Sequence, residues 1–237
     1  MKKYLSLLTL ALFLLPASGF CIANYKVGDQ LNVLAPSGLI LREAPKAKGK
    51  KLTTVAPGEM VTVLQANFKK FSHAVTEFKG YNIRGFWVKV RTSGGQEGYV
   101  FDGYLSRYKA PGTFAIQEEE GSFTTPEQYL AAHSEQRGAR IEMPKTPNRY
   151  ERYKQIYQNG AEVEVNIGEG GALYTMTFDQ GLTFEEGYLI GRLIWMEGPV
   201  KSRIEGGKVT LLNQAETQEV VVKKQGGRII VTLGIAD

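Results

Sequence analysis

The stretch GFWVKVRTSGGQEGYVFDGYL, Gly85 to Leu105, consists of two alternating runs joined by a Ser-Gly-Gly turn. Successive side chains of an extended strand point to opposite faces. Phe86, Val88 and Val90 therefore share one face and Trp87 and Lys89 the other, while Tyr99 and Phe101 oppose Val100. The Val-bearing face is the natural core of a small β-domain. Trp87 and Tyr99 are then candidates for an aromatic groove beside Lys89 and Arg91. The competing reading makes Trp87 a packing residue, because so large a ring covers much apolar surface wherever it is buried.

Outward from this stretch the pattern repeats. LNVLAPSG, LILREAP and KLTTVAPGEMVTVLQ are short apolar alternations broken by Pro and Gly turns, which argues for a small antiparallel barrel. The blocks occur in a recognisable order: Leu39, Leu41 and Arg42 followed by Pro45; Pro57 and Gly58 ahead of Val61 and Val63; Trp87 with Lys89 and Val90; Gly98, Tyr99 and Val100 ahead of Tyr104 and Leu105. In this order they resemble the bacterial SH3 (SH3b) domain of exported and cell-wall proteins, over roughly a third of the chain. The resemblance implies an SH3-like barrel and recognition of a cell-wall polymer or an envelope protein segment. Ile40, Ala44 and Tyr99 depart from residues common in the family (Asn, Gly and Trp). A larger departure is Ala66 to Gly85, where a long connection rich in Phe and basic residues replaces a short one. It reads either as a cover over the barrel or as a recognition arm.

The first 23 residues, MKKYLSLLTLALFLLPASGFCIA, have the lysines, apolar run and small residues of a secretory signal, with cleavage expected after Ala23. Cys21 is the chain's one cysteine. A lipid anchor there is the weaker reading because Phe20 is large. The cleaved chain then has no thiol for nucleophilic catalysis, disulfides or thiolate metal sites, and no second apolar run reaches membrane-spanning length. Export places it in the periplasm or outside the cell.

Charge divides the chain unevenly. Residues 24–110 hold 14 Lys and Arg against 6 Asp and Glu, whereas residues 111–237 hold 13 against 18. The change of sign, with Pro111, Gly112 and three consecutive Glu, marks residues 111–121 as a linker between an SH3b-like unit (24–110) and a second unit (122–237). In that second unit Thr125, Pro126 and Gln128 form a helix-start pattern. AEVEVNIG, ALYTMTFD, GYLIGRLIWMEG, KVTLLNQ, QEVVVKK and RIIVTLGI then read as antiparallel strands of a meander, barrel or sandwich. The expectation is an all-β chain with one short helix.

Chemistry is sparsely supplied. His73 and His133 show no paired metal-ligand spacing, so no metal and no cofactor are expected. The G-x-S-x-G elbow of serine hydrolases is absent. Asp179, Glu185 and Glu186 are the carboxylates a glycosidase reading would use. Neighbouring acids on a strand point apart, which disfavours a working Glu185 and Glu186 pair. Export and the modest overall charge also disfavour nucleic acid. The reading is a noncatalytic binding protein. Its alternatives are a carboxylate-dependent wall hydrolase sited in the C-terminal half and a carrier with a β-barrel cavity. The candidate ligand residues are Trp87, Tyr99, Lys89, Arg91 and Arg42, with Lys46, Lys48, Lys50 and Lys51 on the neighbouring loop.

Overall fold

The computed structural model describes residues 25–65, 72–110, 125–179, 181–196 and 199–236. The expected signal segment with Cys21, the expected linker and part of the 66–85 insertion lie outside the described residues. The chain is an all-β protein with two antiparallel sheets, the first of them SH3-like.

The first sheet contains β1 (Gln30–Val33), β2 (Leu39–Arg42), β3 (Lys51–Val55), β4 (Met60–Gln65), β5 (Ser72–Phe78), β6 (Tyr81–Thr92), β7 (Glu97–Phe101) and β8 (Leu105–Ser106). Its order is β3-β2-β7-β6-β4-β1-β8, with β5 attached to β6 alone. Leu31, Val33, Leu41, Val61, Val63, Val88, Val90, Val100 and Leu105 fill the barrel. β6 serves the hairpin and then the barrel. Tyr81 to Phe86 pairs with β5 in a hairpin, and Trp87 to Thr92 pairs with β4 and β7 in the barrel. At the crossover sits Gly85, where a Cβ would lie 2.3 Å from Asp102 Oδ1 and 2.8 Å from the Gly103 backbone nitrogen. The strand passes from hairpin to barrel there because no side chain blocks the 3₁₀ turn Asp102–Tyr104.

The second sheet contains β9 (Ile141–Glu142), β10 (Glu151–Ile156), β11 (Glu162–Gly168), β12 (Gly171–Phe178), β13 (Val200–Glu205), β14 (Lys208–Asn213), β15 (Gln218–Gln225) and β16 (Arg228–Ile235). Two four-stranded meanders join where β12 pairs with β16, giving the order β13-β14-β15-β16-β12-β11-β10-β9. Helix α1 (Pro126–Ala131) packs near β11 and β12. Its capping box of Thr125 and Gln128 is the one the sequence indicated.

GYLIGRLIWMEG departs from the strand expectation. Phe184–Trp195 is a second helix, α2, linking β12 to β13 across the sheet. Two local causes select helix. Thr183 and Glu186 form a reciprocal capping box, with Glu186 N donating to Thr183 Oγ1 at 3.1 Å and Thr183 N donating to Glu186 Oε2 at 2.8 Å. Gly187 and Gly191, four apart, share a helical face and let the backbone lie directly on Val220, Val222, Ile229 and Val231. A continuous apolar run does not reveal its period, and burial on nearly every side is the reason.

α2 lies between the sheet and the barrel. The β5–β6 hairpin, the long departure from the SH3b pattern, rests on it. Tyr81 meets the Tyr188 ring edge-on at 4.9 Å and Phe184 at 6.1 Å, and Phe78 lies 6.4 Å from Tyr188. One continuous cluster of buried residues thus runs from Ile83, Trp87 and Phe101 through Tyr129, Tyr188 and Ile190 to Val222 and Val231.

Candidate functional site

The five sequence-indicated residues come from three adjacent strands, and registry puts them on one face. Arg42 on β2 stands opposite Tyr99 on β7, and Tyr99 opposite Lys89 on β6; Arg91 stands opposite Glu97 and Trp87 opposite Phe101. Their surroundings differ. Trp87 is 6 % exposed, with His73 at 5.6 Å, Phe101 at 6.3 Å and the Arg42 guanidinium 5.8 Å from its ring. Tyr99 is partly buried against the same cluster. Lys89 and Arg91 both reach Glu97, at 3.1 and 2.8 Å. Hydrogen bonds from Arg91 and then Lys89 hold the Glu97 carboxyl below its ordinary range.

Beyond Arg42 the chain forms a tight loop, residues 43–50. Glu43 N donates to Lys50 O at 3.0 Å, Lys46 N to Ala44 O at 2.8 Å and Gly49 N to Lys46 O at 2.9 Å. Arg42 Nη1 braces it from beneath, donating to Gly49 O at 2.8 Å. Gly49 is buried, and a Cβ there would stand 2.9 Å from Ala44 O. Lys46, Lys48, Lys50 and Lys51 are exposed. None of the four reaches a carboxylate of the described residues within ion-pair distance.

Titratable groups concentrate where the barrel meets α2. Asp102 Oδ1 accepts from Phe86 N at 2.6 Å, and burial, reinforced by the charge of Glu186, pushes its carboxyl up to about 7. Glu186 is 4 % exposed and bonded to Thr183 and Ser106; burial raises it too. Burial likewise raises Glu185. The expected strand geometry of Glu185 and Glu186 is thereby corrected: both stand in the first turn of α2, and Glu186 serves as its cap. Asp179 pairs with Arg228 at 3.3 Å. Glu77 on β5 accepts from the hydroxyls of Tyr104 and Tyr188.

The histidines lie apart. His73 lies tilted beside Trp87 and meets Phe101 edge-on at 5.3 Å. His133 accepts at Nε2 from Lys109 N at 2.8 Å, which leaves Nδ1, 2.7 Å from Tyr129 O, as its donor. Among the described residues no group of three His, Cys, Asp or Glu side chains is placed to hold a metal ion. No described helix is long and apolar enough to cross a membrane.

Residues 37–106 match the bacterial SH3 domain family. The match spans β2 to β8 and includes the β5–β6 hairpin. The N-terminal half therefore carries a bacterial SH3 domain. No curated protein and no solved structure matches the chain. Sequence reasoning missed the polar pins of the joint: Glu77 and Tyr188 lie 111 positions apart, and no spacing rule connects them.

Proposed function

We propose that this is an exported, noncatalytic protein of the bacterial cell envelope, whose SH3 module recognises a wall component or an envelope protein segment. The carrying observation is the SH3 match over residues 37–106, joined to a barrel that presents a cationic outer surface. The N-terminal signal pattern supports export. The second sheet and α2 act as a scaffold that holds the module in a fixed orientation. The second sheet runs from edge β13 to edge β9 with α2 laid on one face, an arrangement that offers no support for the closed cavity of the carrier alternative.

Two measurements test the proposal. The mature chain is incubated with purified peptidoglycan and, in parallel, with an envelope protein extract. Retention by either is expected, and a trimmed amino terminus at residue 24 is expected from mass spectrometry of extracytoplasmic material. Retention by neither would end the binding reading, and a chain found only in the cytoplasm with Met1 in place would end the export reading.

A further inference from the structure

Within the SH3 module, the aromatic side chains and most of the cations of the β2-β7-β6 face are already engaged. Trp87 is covered, Tyr99 packs against the shared core, and Lys89 and Arg91 converge on Glu97. What remains open is the loop of residues 43–50 with Lys51 behind it.

We propose that this loop binds a phosphate-bearing anionic polymer of the envelope. The inference rests on the envelope reading above and names the chemistry its SH3 module would take.

Four observations carry it. Between Arg42 and Lys51 there are five cations and one acid, Glu43, and the four lysines are exposed without a carboxylate partner of the described residues. Arg42 and Lys51 are partners across β2 and β3, at the register shift that follows Leu41. Like charges in that position repel, so the fold carries an unfavourable pair that a bound anion would relieve. Arg42 Nε is moreover buried without a hydrogen-bond partner among the described residues. The loop backbone is also fixed in advance, by its own hydrogen bonds and by the Arg42 brace, so binding does not have to order it.

The residue types select the partner. Folded protein partners are held by aromatic or Arg anchors in desolvated pockets, but apart from its charges the loop offers chiefly Ala44, Pro45 and Ala47. The same residues give no apolar wedge for a bilayer. Lysines are mobile point charges rather than forks fitted to one geometry. Several on a rigid loop suit a chain of repeating phosphates, where affinity arises from neutralising many charges and releasing their counterions.

The test compares the mature chain with K46Q/K48Q/K50Q/K51Q and with a control of equal charge loss, K145Q/K208Q/K223Q/K224Q. Each is measured against immobilised long-chain inorganic polyphosphate across a salt series. The expected result is that the loop variant binds at least about tenfold more weakly and that the slope of log affinity against log salt shrinks by about 3, with the control close to the unsubstituted chain. Equal losses in both variants, no binding by the unsubstituted chain, or tighter binding to phosphatidylglycerol vesicles or polyglutamate would overturn the inference. Peptidoglycan stripped of anionic polymer separates the two readings. If it retains both the unsubstituted chain and the loop variant while polyphosphate retains neither, the loop inference fails and the proposed function stands. If polyphosphate binds through the loop while whole, unstripped wall material and envelope proteins retain nothing, the proposed function fails and the loop's phosphate binding stands.

Discussion

Tyr188 on α2 donates its hydroxyl to Glu77 Oε2 on β5 at 3.1 Å, and the other oxygen of the same carboxylate accepts from Tyr104. One acid thus ties the 3₁₀ turn of the barrel to the helix of the second unit through the inserted hairpin. Removing one hydroxyl leaves the Glu77 carboxylate a donor short, so Tyr188→Phe is expected to lower stability by about 1 kcal/mol. Tyr188→Ala also empties a buried ring site and is expected to lose about 3–5 kcal/mol. In a double-mutant cycle Tyr104→Phe and Tyr188→Phe are expected to couple, since they share one carboxylate. Strict additivity in urea unfolding would show that the shared acid does not link them.

The joint extends past the hairpin. Beyond the hairpin, Tyr108 meets Phe178 edge-on at 5.3 Å, and Tyr129 donates its hydroxyl to Lys109 O at 3.2 Å. A protease site placed within residues 111–121 and then cut is expected to yield two fragments that co-elute on size exclusion and unfold in one transition. Separate elution at micromolar concentration would mean that the contacts hold only while the chain tethers them.

Gly187 and Gly191 set two principles against each other. An alanine in a helix interior gains about 1 kcal/mol over glycine in propensity. Here, however, a Cβ at position 187 would lie 2.6 Å from Ile229 Cγ2, and one at 191 would lie 2.8 Å from Val220 Cγ1. Those methyls belong to β-branched side chains that cannot swing aside cheaply, and overpacking costs about 1–3 kcal/mol. Gly187→Ala is therefore expected to be neutral to destabilising and Gly187→Val strongly destabilising. A raised melting temperature for either would place α2 farther from the sheet.

The barrel was legible because its side chains alternate and its turns carry Pro and Gly: Val88, Val90 and Val100 lie in the core the alternation indicated. Helix α2 was not, although Thr183 and Glu186 stood three apart ahead of the apolar run as a helix-start signal. The run itself is buried against both the sheet and the barrel, and such burial erases the polar face that reveals a helical period. The joint was beyond reach for a different reason. Whether Trp87 faces solvent depends on where β5 brings His73, a long-range placement that no local pattern encodes.

Asp102 makes the joint less stable as pH rises from acid to neutral. Its carboxyl, ordinarily at 3.8, is raised to about 7 by burial, with Glu186 adding to the effect. The folded state therefore holds a proton that the unfolded state releases above 3.8. This contribution to stability is complete below that value and is lost as pH rises through 7. Asp102→Asn retains an oxygen to accept from Phe86 N and carries no charge. Relative to the unsubstituted chain it is expected to gain stability, on the order of a few kcal/mol, between pH 5 and pH 8. A difference that stays constant across that range in urea titrations would rule out a raised Asp102.

His133 acts in the opposite direction. Burial lowers its pKa from the ordinary 6.5, and the nearby Lys109 charge lowers it further, against the opposing hydrogen bond to Tyr129 O. The unfolded chain then binds the proton first, so the stability His133 confers is complete above 6.5 and is lost as pH falls through the lowered folded value. The structural cost is specific: a proton on Nε2 turns the acceptor of Lys109 N into a second donor, removing a hydrogen bond worth about 1 kcal/mol. Because Asp102 titrates in an overlapping range with the opposite slope, the effect is best read in the Asp102→Asn background. There, His133 is expected to contribute a fall in unfolding free energy from pH 7.5 to pH 5, against the opposite slope of the raised Glu185 and Glu186. In Asp102→Asn/His133→Gln, where no imidazole titrates, that fall is expected to be smaller. Identical pH profiles for the two variants would show that His133 takes up its proton equally in both states, and that its contact with Lys109 N does not restrain it.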